Sequence, residues 1–139
     1  MYLIYNFIML EKEILIEKNC SIVASNGYFS YDSGIKPVIS KIIEDRYFFK
    51  DLIIADKVIG KASAMLFAYS KAKKVFAFTL SKSGKQILDK YGIEYEYDKL
   101  VDYIINNKGD DMCPMEKTVK DIDDLNEAFK ALYKKVALH

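Results

Sequence analysis

At 139 residues, 51% hydrophobic and 29% charged, the chain can bury one domain-sized core. A formal net charge of +1 excludes a disordered polyelectrolyte and gives no strong nucleic-acid signal, which would show as a basic excess. Six glycines and two prolines exclude collagen-like and linker-like chains. Cys20 and Cys113 are too few for a disulfide scaffold, so reduced thiols and a cytoplasmic setting are expected.

The first ten residues, Met1 to Leu10, are mostly apolar but too short to span a bilayer. They lack the basic flank and small-residue cleavage site of a signal peptide. They read as part of an N-terminal helix, about residues 1–18. A true start at Met9 and a peripheral membrane anchor are the alternatives. From Met9 to Asn19, Leu10, Ile14 and Leu15 give an apolar face. Cys20–Ser25 and Tyr28–Asp32 are strand candidates around Asn26-Gly27, a hairpin signal because both residues tolerate positive φ.

A helix is predicted over Ile35–Asp45, with Pro37 early and Val38, Ile39, Ile42 and Ile43 at helical spacing. Leu52–Ala55 reads as a buried strand, Asp56 as an N-cap, and Lys57–Ser70 as the following helix. Val75–Leu80 is a second apolar strand, and Lys85–Tyr91 a helix ending at Gly92. Ile93, Tyr95 and Tyr97 alternate with Glu94 and Glu96 as a half-buried strand. Leu100–Asn107 is predicted as a short helix, Lys108–Pro114 as a loop, and Asp123–Lys135 as the last helix. The order predicts one α/β domain over 1–139, with a mixed sheet of about five strands.

Three segments carry candidate chemistry. At the strand-to-helix junction Ala55–Ala62, free helix N–H groups, Lys57 and Lys61 would attract a phosphate, a carboxylate or an internal acidic partner. Asp56 would orient a lysine or accept from the ligand; in the plainer reading it only caps the helix. At Leu80–Gly84, Ser81 or Ser83 either caps a helix or holds an anion. At Cys113–Lys117, Cys113 is a candidate nucleophile and Glu116 a candidate base. The sole histidine, His139, is terminal, so a Cys–His pair is not expected. The segments contain no P-loop, no G-x-G-x-x-G and no C-x-x-C, and no metal site or cofactor is expected.

The residues at 55–62, Leu80-Ser81, Ile105-Asn106-Asn107 and Cys-Pro-Met-Glu at 113–116 resemble a prokaryotic family of unknown function. The likeness covers roughly Glu11 to Leu132, and that family is grouped with the cytidine-deaminase-like fold. It implies a three-layer α/β/α sandwich with its pocket at the Asp56–Lys61 and Ser81–Gly84 junctions. A zinc deaminase has His/Cys-x-Glu and Pro-Cys-x-x-Cys at those places. This chain has Asp56-Lys57-Val58 and Leu80-Ser81-Lys82, so zinc-dependent deamination is not expected.

Two functions remain open. One is a zinc-free site for a small anionic molecule such as a nucleotide, bound by Asp56, Lys57, Lys61 and Ser81, with Cys113 and Glu116 closing it. The other is a non-catalytic homodimeric regulatory module, whose interface would draw on the eleven tyrosines and the apolar N-terminus.

Overall fold

The computed structural model describes residues 11–137; the expectations for Met1–Leu10 and His139 lie outside them. Residues 11–18 are helical (α1). The chain continues as β1 (Ile22–Ala24), β2 (Phe29–Ser30), α2 (Lys36–Glu44), β3 (Ile53–Ile59) and α3 (Lys61–Tyr69). Then come β4 (Lys74–Ser81), α4 (Lys82–Lys90), β5 (Glu94–Val101), α5 (Pro114–Val119) and α6 (Leu125–Ala137).

The five strands form one mixed sheet in the order β2-β1-β3-β4-β5. The β1–β2 and β1–β3 pairs are antiparallel, and β3–β4 and β4–β5 are parallel. Right-handed crossovers through α3 and α4, moving the same way across the sheet, put both helices on one face. There Ile39, Ile54, Phe67, Val75, Leu88 and Leu132 share a core with α2 and α6. On the other face Leu15 of α1 packs with Cys20, Val23, Ile53, Ala55 and Phe76. The result is a three-layer α/β/α sandwich.

The hairpin forms where expected, but only Gly27 takes positive φ, at 95°. Gly27 N–H donates to the Ala24 carbonyl, and Ala24 N–H to that of Tyr28, so three residues close the turn. Gly92, φ 68°, ends α4 as predicted: its N–H donates to Asp89 O, and that of Ile93 to Leu88 O. The sole arginine is structural. Its Nε donates to Tyr69 O, and its guanidinium lies 4.1 Å from the Tyr69 ring centre.

Two expectations are overturned. The helix predicted from Lys57 starts at Lys61, because β3 runs on through Asp56 to Ile59. Asp56 pairs with Ile22 on one side and Ala77 on the other, and Val58 and Ile59 pair with Thr79 and Leu80. These ladder bonds outweigh the local capping preference of Asp. The helix predicted over Leu100–Asn107 is absent. Leu100 and Val101 pair with Leu80 and Ser81 as the end of β5, and Ile105 bridges Met112.

Candidate functional site

At the carboxyl end of β3 the chain passes through Gly60 and enters α3. Gly60 is the N-cap of α3, and it has no side chain to cap with. The cap comes instead from a residue far along the chain. Glu116 Oε1 accepts from Lys61 N–H at 2.7 Å, and its Oε2 from Ala62 N–H at 2.8 Å. The carboxylate thus answers two of the orphan donors of the helix and its positive end. Glu116 is 6% exposed; burial raises its pKa, opposed by the two N–H bonds and the Lys61 charge. Close approach is possible because residue 60 is glycine: a β-carbon there would collide with Glu116 and Ile104. A β-carbon on Gly84 would stand 3.0 Å from Gly60 C and O, so the start of α4 is seated on the same turn.

Beside this contact lies a cavity of about 520 Å³. Its walls come from β3 (Asp56, Lys57, Val58), from the start of α2 (Ile35, Lys36), from α3 (Ala62, Ser63) and from the segment 104–116. Cys113 and Glu116 both line it. This is the carboxyl edge of parallel strands, where α/β sheets place ligands. Asp56 is 6% exposed, and burial pushes its carboxyl up to about 8 despite backbone N–H bonds. The N–H of Val58 donates to its Oδ1 at 3.3 Å.

A family model described as TM1506, a domain of unknown function (DUF1893), matches residues 11–136. The chain belongs to the DUF1893 family. A crystal structure of a DUF1893 family protein, TM1506 from Thermotoga maritima, is similar to it with a TM-score of 0.85 at 29% identity. That likeness covers 94% of this chain and 90% of the other. No curated protein matches.

In this DUF1893 protein the six sequence candidates do not all meet. Asp56, Lys57, Cys113 and Glu116 line the cavity. Lys61 lines a neighbouring hollow of about 350 Å³, which Glu116 also borders, and its Nζ donates to Lys120 O at 3.0 Å. Lys57 lies in a strand and donates to Asn19 Oδ1, so its four-residue spacing from Lys61 does not make one helical face. Ser81 lines neither hollow. It is fully buried and caps α4, its Oγ accepting from Gly84 N–H at 3.0 Å.

Among the described residues, no group of three or more His, Cys, Asp or Glu side chains could hold a metal ion. The two strand-end junctions offer the Asp56 carboxyl and the Ser81 and Ser83 hydroxyls but no imidazole or thiolate, so the donor set of this DUF1893 chain does not fit zinc. Sequence reasoning missed Ser63, Ser21, Asn106, Asn107 and the start of α2 as parts of the cavity wall. For α2 a signal existed: Gly34-Ile35-Lys36-Pro37 opens a helix with no capping side chain.

Proposed function

We propose that this DUF1893 protein is a cytidine-deaminase-like domain that binds a small anionic molecule, such as a nucleotide, in the 520 Å³ cavity without zinc. The deaminase-like reading is supported by the mixed five-stranded sheet and by α3 and α4 starting at the carboxyl ends of β3 and β4. The observation that carries the ligand reading is the charge on the cavity wall. Lys36 and Lys57 both line it and neither is ion-paired among the described residues, although the Lys57 ammonium donates to Asn19 Oδ1 and must turn from it to meet an anion. At the start of α2 Pro37 has no N–H and those of Val38 and Ile39 donate to Ile35 O, so only the Lys36 N–H adds to this charge. Asp56 does not oppose an anion, because burial keeps its carboxyl mostly protonated at neutral pH. Both oxygens of Glu116 are held by α3, which makes it a positioning residue in this reading and leaves Cys113 as the reactive side chain on the wall.

The test is a thermal-shift and calorimetric screen of nucleoside mono- and diphosphates and sugar phosphates. At least one should raise Tm and bind stoichiometrically. Lys57→Ala and Lys36→Ala should each weaken it about tenfold, whereas Lys61→Ala, outside the cavity, should leave it unchanged. No binder, or equal binding by the wild type and both cavity-lysine variants, overturns the proposal.

A further inference from the structure

The inner wall of the cavity carries two buried polar groups that the fold itself does not use up. Asp56, on β3, has no side-chain hydrogen-bond partner among the described residues and takes only backbone N–H bonds. Ser63, in the first turn of α3, is 5% exposed, and its hydroxyl has no partner among those residues. Yet no described side-chain polar atom is both sealed from solvent and unpaired. The free valences of these two groups therefore open where both residues line space, into the cavity. A ligand that displaces water from these groups without replacing its hydrogen bonds binds more weakly for it.

We infer that Asp56 and Ser63 read the edge of a planar nitrogen heterocycle, a ring amide or amidine presenting a donor beside an acceptor. The inference rests on the reading of the cavity as a ligand site and names the part of the ligand that Asp56 and Ser63 meet. A neutral carboxyl offers an O–H donor next to a carbonyl acceptor, which complements such an edge two bonds at a time. A hydroxyl can serve either partner, so Ser63 extends the match without fixing its direction. Ile35, Ile104 and Met115 supply apolar wall for the flat faces of a ring. Lys36 and Lys57 on the same lining then meet whatever anionic group the ring carries. Nucleobases are the heterocycles that combine such an edge with an attached phosphate.

The experiment separates the ring from the charge. Binding is measured by calorimetry for the common nucleosides, for 3-methyluridine and N6,N6-dimethyladenosine, and for ribose 5-phosphate. At least one nucleoside should bind, and blocking its edge by methylation should cost about tenfold or more. Ser63→Ala should lose about tenfold. Asp56→Asn, which keeps one donor and one acceptor, should stay within about threefold, whereas Asp56→Leu should abolish binding. Should Asp56→Leu fail to fold, Ser63→Ala with the methylated pair decides. Ribose 5-phosphate binding as tightly as the nucleotide, or methylated and parent nucleosides binding alike, overturns this inference while sparing the anion site. Nucleosides binding with no gain from phosphate overturns the anion site and supports the edge. If nothing binds, both fall.

Discussion

A β-carbon on Gly60 would stand 1.9 Å from Oε1 of Glu116. Residues far apart in sequence are thus mutually dependent: the carboxylate reaches the start of α3 only across a glycine. The glycine is not required by its own backbone, whose φ of −105° suits any residue. Gly60→Ala should therefore destabilise by about 1–3 kcal/mol, through Glu116. Glu116→Ala, which strands two N–H groups, should cost a similar amount. Because both changes break one contact, the double variant should cost at least ~1 kcal/mol less than their sum. Chemical denaturation measures the cycle, and strict additivity would contradict this account.

Ser81→Ala removes the only side-chain cap of α4 that the structure shows. A loss of about 1 kcal/mol is expected, or a Tm fall of about 4 °C. Ligand affinity should not change, because Ser81 lines neither hollow. A variant that keeps its Tm but loses binding would return Ser81 to the site.

Asp56 sets a pH signature. Its carboxyl is raised from 3.8 to about 8 in the folded protein, so folding favours its protonated form. The stabilisation is complete below about pH 4, where both states are protonated, and is lost as pH rises through about 8. Asp56→Asn removes this dependence. The Tm of the variant minus that of the wild type should increase steadily from pH 5 to pH 8, by several degrees in all. A constant difference across that range would mean that Asp56 ionises normally.

The two thiols should differ in reactivity. Cys20 is fully buried between α1 and the sheet, and burial raises its pKa, whereas Cys113 is half-buried on the cavity wall. Native protein should take up one equivalent of iodoacetamide rapidly, at Cys113, and peptide mapping locates it. Any compound that fills the cavity should slow the reaction. Equal labelling of both cysteines, or rapid labelling of Cys20 alone, would argue against this placement of Cys113.

Local pattern carried much of the fold. The hairpin at Gly27, the apolar run of β4, the cap at Ser81 and the stop at Gly92 are each written within a few residues, because turns and caps are short-range chemistry. The same reasoning failed at Asp56 and at Leu100. A charged residue after an apolar run looks like a helix cap, and a short apolar-polar mixture looks like a helix. Only the neighbouring strands, through the Asp56–Ala77 and Leu100–Leu80 pairings, decide otherwise.

The site divides in the same way. Alone, the sequence determined that the junction Ala55–Ala62, with its helix expected from Lys57, carries excess positive charge and calls for a phosphate, a carboxylate or an internal acidic partner, since lysines and free N–H groups at one helix end attract negative charge. It could not say which acid supplies it. Tertiary structure chose Glu116, folding the segment 104–116 back over Gly60, and the same fold turned Asp56 and Ser63 toward a common hollow. Contacts across more than fifty residues leave no periodicity to read, because they are set by how layers pack and not by the local chain.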